Sequence, residues 1–165
     1  MKELIKKLLG HRILGLKRRL VWILRPTERE VKWLKKLVQI NQLQGGTFID
    51  IGAHLGMYSL TLSNIFSKCL AIEANPSLCE EMQISGLPKN VIVENLAISN
   101  VGGQAELRMP ILKNIGLANL GEATIEPSNN FQGGDNCGFE SINVKCVTLD
   151  SIVQEKYNSL VGNYD

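Results

Sequence analysis

The chain has 165 residues, 44% of them hydrophobic, with a mean hydropathy of +0.01 and a formal net charge of +2. That length and balance fit one globular α/β-sized domain and exclude a disordered or fibrous polymer. The small net charge hides an asymmetry: residues 1–40 hold 12 Lys and Arg against 3 Asp and Glu, a net of +9, which leaves −7 on residues 41–165.

The first predicted element runs from Lys2 to Leu24. Leu4, Ile5, Leu8, Leu9, Ile13, Leu16, Leu20, Ile23 and Leu24 recur at three- and four-residue intervals and share one side of a helix, with Lys6, Lys7, Lys17 and Arg18 mainly on the other. A basic amphipathic helix of this kind serves two uses. It can pack on its own domain, or make a peripheral contact with an anionic membrane through residues 2–24. Its longest apolar run, Leu20 to Leu24, is far short of the roughly 18–20 residues of a membrane span. Lysines and arginines interrupt the segment throughout, unlike a secretory leader, so a cytoplasmic location is expected.

Arg25 and Pro26 then break the helix, and Thr27 with Glu30 has the form of a capping box. A second helix is predicted from about Glu28 to Gln42, ending before Gly45 and Gly46. Its apolar residues Val31, Leu34, Leu37, Val38 and Ile40 require a sheet or another helix to cover them. Residues 1–44 therefore read as a basic helical segment, and residues 45–165 as the main domain.

From Thr47 the period changes. Three apolar stretches, Thr47 to Ile51, Cys69 to Glu73 and Val91 to Asn95, read as buried strands of a parallel sheet. Met57 to Phe66 and Pro76 to Ser85 read as helices between them, which gives half of a doubly wound sheet. Beyond Ser99, the stretches Gln104 to Met109 and Ile142 to Val147 are predicted to pair as a hairpin around a Gly- and Asn-rich loop, and a last helix opens near Leu149. There is no internal repeat. The cysteines Cys69, Cys79, Cys137 and Cys146 lack the spacing of a zinc site or a disulfide framework.

The chemistry is concentrated in the segment from Phe48 to Gly56, a strand that runs directly into a glycine-containing turn and then a helix. Gly52 and Gly56 permit a tight turn and close backbone approach to a ligand. Asp50 lies at the carboxyl end of the first strand and Glu73 at the end of the second, where open α/β sheets bind ligands and where an acid can hold the hydroxyls of a ribose. A dinucleotide fold wants Gly-x-Gly-x-x-Gly and a helix terminus open to pyrophosphate. Asp50 would repel a pyrophosphate. A cofactor with a cationic sulfonium, an amino-acid tail and one ribose suits the acidic pair better, and S-adenosylmethionine has all three.

Four stretches in order, TFIDIGAHLGMYSL from Thr47, AIEANPS from Ala71, VIVENLAIS from Val91 and VTLDSI from Val147, resemble the FkbM family of methyltransferases over about Arg25 to Ile152. The resemblance implies a Rossmann-like class I methyltransferase fold, S-adenosylmethionine as donor, and methylation of a hydroxyl oxygen on a sugar, a glycan or a natural product. By position it places Asp50, Gly52, Ala53, His54 and Gly56 around the methionine part of the cofactor and Glu73 on the ribose. It puts Asn75 and Pro76 in the pocket wall, Asn95 to Ala97 near the adenine, and the loop Asn114 to Leu120 toward the acceptor.

Several of these residues have an ordinary structural reading. His54 is as well explained by a turn as by a cofactor contact. Tyr58 and Ser59 read as helix packing and a surface hydroxyl, and Asp150 as a helix starter rather than a base. The resemblance names no catalytic base and no metal. In the family the pattern continues past the last helix into a strand that lies beside the first. The parallel sheet is therefore expected to be incomplete here, with the edge of the Asp50 strand open. The competing functional reading is an inactive cofactor-binding or scaffold fragment that docks through its basic helix. Nucleic-acid binding is not expected, because no aromatic residues are interleaved with the basic charge.

Overall fold

The computed structural model describes Lys17 and residues 29–113, 116, 118–129, 131 and 136–160. The predicted amphipathic segment Lys2 to Leu24, apart from Lys17, and the Thr27 half of the capping box lie outside the described residues.

Helix α1 (Arg29–Ile40) leads through Gly45 and Gly46 into strand β1 (Thr47–Ile51). Then come α2 (Met57–Leu62), β2 (Lys68–Glu73), α3 (Pro76–Ile84) and β3 (Val91–Asn95). The three strands form a parallel sheet in the order β1-β2-β3, with Thr47 opposite Lys68 and Cys69 opposite Val91. Central β2 is apolar from Cys69 to Ile72, where both of its faces are covered. Leu70 and Ile72 face Ile152 with Ile49 and Ile92, whereas Ala71 packs with Ala53, Cys79 and Met82. Residues from helices thus lie on both sides of the sheet, Cys79 and Met82 from α3 on one and Ile152 on the other, as the alternating sequence predicts. The chain is an α/β protein with a Rossmann-like arrangement of strand, helix and strand. Among the described residues β1 stands at the sheet edge, and Ile51 is half exposed.

A second sheet, in the order β4-β6-β5, is built from β4 (Ala97–Ile98), β5 (Gly103–Leu112) and β6 (Asn136–Val147). β5 and β6 pair antiparallel from Gly103 opposite Cys146 to Leu112 opposite Asn136, with a register shift between Pro110 and Leu112. Proline has no N–H to give to a ladder, which fits the irregularity at that point. The predicted hairpin is therefore present and longer than its apolar stretches. A short 3-10 turn, Leu120–Glu122, lies in its loop, and α4 (Leu149–Leu160) follows it. Asp150 sits exposed in the first turn of α4, while the capping bond is made by Thr148, whose hydroxyl accepts the Ser151 N–H.

Helix α2 is shorter than predicted. The side chain of Asn90 donates to the carbonyls of Ser63 and Phe66, and the Ser63 hydroxyl donates to the Leu60 carbonyl. Those bonds satisfy the carbonyls that a longer helix would use, and the chain turns toward β2 instead.

Gly56 is tightly packed. It has φ +76°, and a Cβ built on it would stand 2.9 Å from the Met82 sulfur, itself buried against Ala71 and Cys79. Gly56→Ala is expected to lower stability by roughly 2–4 kcal/mol, the sum of left-handed backbone strain and overpacking. Gly46, with nothing within 4 Å of a built Cβ, supplies the control. Chemical denaturation of Gly46→Ala should change stability by less than about 0.5 kcal/mol.

Candidate functional site

The turn between β1 and α2 is wound by three residues in the left-handed region, Gly52 (φ 74°), His54 (φ 52°) and Gly56 (φ 76°). The N–H groups of Gly52 and Ala53 both donate to the Ile72 carbonyl, at 2.9 and 3.0 Å, which lays the turn over the end of β2. One residue further along β2, the Glu73 carboxylate takes two backbone N–H groups. Its Oε2 accepts from His54 at 2.8 Å and its Oε1 from Asn75 at 2.8 Å. A left-handed histidine is uncommon, and a bond to a charged oxygen offsets its conformational cost. Each carboxylate oxygen keeps a second acceptor direction. Glu73 is 8% exposed and opens on a cavity.

That cavity has a volume of about 740 Å³. It lies between the carboxyl ends of the parallel strands and the second sheet, and its size is within the range of roughly 300–1,000 Å³ usual for small-molecule sites. Gly52, Ala53, His54, Tyr58 and Glu73 line it from the first sheet. Leu96 and Ala97 line it from the end of β3 and the start of β4, while Leu107, Ala123 and Ile125 give it an apolar wall. A Cβ placed on Gly52 would meet no atom within 4 Å, so the turn leaves room for a ligand against its backbone.

Of the residues expected around the cofactor, Gly52, Ala53, His54, Glu73, Leu96 and Ala97 thus line the cavity. Asp50, Gly56, Asn75 and Asn95 hold its frame. Asp50 is buried beneath the turn, where its Oδ2 accepts both the N–H of Ser59 at 3.0 Å and the Ser59 hydroxyl at 2.8 Å. Gly56 packs on Met82. Asn75 caps α3 by accepting the Ser77 N–H at 3.0 Å, and its amide nitrogen donates to the Met109 sulfur at 3.3 Å. Asn95 donates to the carbonyls of Glu73 and Ala74, which fixes the end of β2.

Two expectations are corrected. Ser59 is fully buried as the partner of Asp50, not a surface hydroxyl, because α2 folds straight back over the strand that carries Asp50. Tyr58 lines the cavity rather than serving packing alone. Of the loop expected to face the acceptor, Leu120 lines the cavity, whereas Asn114, Ile115 and Leu117 lie outside the described residues.

Arg108 is a structural residue that the sequence did not single out. It is 9% exposed, its guanidinium donates to the Glu126 carbonyl, and it lies 5.8 Å and 5.2 Å from the ring centroids of Phe131 and Phe139. Backbone bonds in both directions between Arg108 and Thr124 join the same segment to β5. Arg108 therefore secures the stretch from Ala123 to Ile125 that walls the cavity.

Burial pushes the Asp50 carboxyl above the ordinary aspartate range, the Ser59 bonds pull it down, and the nearby Glu73 charge pushes it further up. Burial also drives the thiols of Cys69 and Cys79 up to about 11, with the charges of Asp50 and Glu73 adding to the effect. Cys79 is accordingly a thiol near neutral pH, donating to the Glu73 carbonyl at 3.2 Å.

No protein-family model matches the chain, and no curated protein does either. A solved structure from Listeria monocytogenes, described provisionally as an S-adenosylmethionine-dependent methyltransferase, is similar at 12% identity with a TM-score of 0.35. The match covers 77% of this chain and 82% of that one. A superposition that loose carries no functional weight, so function has to be read from the cavity and the residues around it.

The Asp50 environment predicts a pH signature. With a raised folded-state pKa, the stability that Asp50 contributes is full below its unfolded value and is lost as pH rises through the folded value. Asp50→Asn removes that loss and, because both Ser59 bonds run to one oxygen, its amide oxygen can keep them. Asp50→Ala leaves two buried donors unmatched, at about 1–3 kcal/mol. Thermal melts at neutral pH should rank Asn at or above the natural protein and Ala below it. The Asn variant should also lose stability less steeply from acidic to neutral pH.

Proposed function

We propose that the cavity binds S-adenosylmethionine and that the chain belongs with the O-methyltransferases of the FkbM type, acting on a hydroxyl of a sugar, a glycan or a natural product. The observation that carries this reading is the placement of Glu73. Its carboxylate is oriented by the His54 and Asn75 N–H groups at the end of β2, beside a glycine turn, and opens on the cavity.

Glu73 would hold the two ribose hydroxyls on its remaining acceptor directions. The backbone from Gly52 to His54 would lie along the methionine part, and Leu96 and Ala97 would border the adenine. S-adenosylmethionine supplies, when bound, a methyl group made electrophilic by a cationic sulfonium. The chain's own contribution is to hold the acceptor hydroxyl in line with that methyl and to exclude water behind the wall of Leu107, Ala123 and Ile125. Among the described residues that line the cavity, His54, Tyr58 and Glu73 can exchange a proton at a side-chain atom.

The same geometry argues against a dinucleotide. Pyrophosphate sites use the free N–H groups that open the first helix. In this chain the Ser59 N–H near the start of α2 is occupied by the buried Asp50 carboxylate, which would repel a phosphate there.

Calorimetric titration tests the reading. S-adenosylhomocysteine should bind saturably, NADH should not, and Glu73→Ala should weaken binding at least about tenfold, the loss of one hydrogen bond to a charged group. Glu73→Gln, which keeps one acceptor, should fall between the two. A folded chain that ignores S-adenosylhomocysteine, or takes NADH equally well, would overturn the assignment.

A further inference from the structure

Helix α1 has two apolar faces, and the domain uses one. Val31 and Val38 are buried, with Leu34 partly covered beside them. On the opposite side Trp33 is 64% exposed, Leu37 53% and Ile40 65%, and Leu43, just beyond the helix, is 57% exposed. The sequence called for cover over Leu37 and Ile40, and the described residues do not provide it. Single exposed apolar residues need no explanation, but three large ones on one side of a helix, with a fourth just beyond its end, mark a contact surface.

The charge around this ridge identifies its partner. Arg29, Lys32 and Lys36 are exposed along one flank of it, and the Lys36 ammonium sits 5.6 Å from the centroid of the Trp33 ring. They belong to the first 40 residues, which carry +9, while the remaining 125 carry −7. We propose that this face of α1 docks on an anionic lipid surface. Trp33, Leu37, Ile40 and Leu43 enter the boundary between headgroups and acyl chains, and Arg29, Lys32 and Lys36 meet the phosphates. The acidic remainder of the chain is repelled by the same surface, which orients the domain away from it.

Two other occupants would hide the ridge: the amphipathic segment Lys2 to Leu24 folded back on α1, or α1 of a second copy. Either would bury the apolar residues. Neither needs the basic flank or the segregation of charge, whereas a lipid surface uses both. The docking is independent of the cofactor reading and stands or falls by its own test. No helix among the described residues is long and apolar enough to span a bilayer, so the contact is one of lying on the surface.

The chain contains two tryptophans, so Trp22→Phe leaves Trp33 as the single reporter. Its emission should shift to the blue and strengthen when vesicles of phosphatidylcholine containing phosphatidylglycerol are added. Vesicles of phosphatidylcholine alone should leave it unchanged, and high salt should reverse the shift. In the natural background, Leu37→Ser with Ile40→Ser should reduce co-sedimentation with the anionic vesicles at least about fivefold, with helical circular dichroism retained. The proposal is overturned if Trp33 emission does not respond to anionic vesicles, whether because residues 2–24 bind alone, cover the ridge, or a second copy does. Equal sedimentation of the double variant overturns it as well.

Discussion

The Glu73 carboxylate ties together the two turns from which the site is made. Through Oε2 it holds the His54 N–H of the turn after β1, and through Oε1 the Asn75 N–H of the turn after β2. Each is a bond to a charged acceptor, of order 1.5–3 kcal/mol, and together they set the left-handed path from Gly52 to Gly56 against the end of β2. The cavity exists because these two turns diverge from a fixed point. A neutral residue there would leave a strained histidine and a helix cap without their shared anchor.

That anchor needs a rigid support, and β2 provides it. Cys69, Leu70, Ala71 and Ile72 are essentially inaccessible, and the strand is paired on both sides. The two sheets also meet at Glu73, whose carbonyl accepts the N–H of Leu96 and the side chain of Asn95. One residue therefore joins the central strand, both turns and the start of the second sheet. Ser59 and Asp50 play a corresponding part under α2, where the buried carboxylate accepts both the N–H and the hydroxyl of Ser59.

Much of this was legible in the sequence, for a physical reason. Strands of a parallel sheet read as short, mainly apolar runs, so Thr47 to Ile51 and Val91 to Asn95 fall within their predicted limits, and β2 begins one residue early. The glycine turn and the acids at the strand ends were visible because few residue types tolerate those positions. What escaped depends on partners distant in sequence. The early stop of α2 is set by Asn90, 27 residues from the Ser63 carbonyl that it holds. The roles of Asn75 and Asn95 as cap and brace follow from backbone groups that no side-chain pattern displays. The contribution of Arg108 rests on a carbonyl 18 residues away, and in the sequence Arg108 only continues the polar alternation of Gln104 and Glu106 along β5. The exposure of Leu37 and Ile40 could not be foreseen, since periodicity counts apolar residues without saying how many sides of a helix the domain will cover.

The central claim is that Glu73 reads a ribose, and a double-mutant cycle between protein and ligand tests it most directly. Binding of S-adenosylhomocysteine and of its 2′-deoxy analogue would be measured on the natural protein and on Glu73→Ala, each shown to be folded. The account predicts that loss of the ribose hydroxyl weakens binding to the natural protein by about tenfold or more and changes binding to the variant little, because the group that met the hydroxyl is gone. An equal loss on both proteins would show that the hydroxyl is read elsewhere, and would contradict the account.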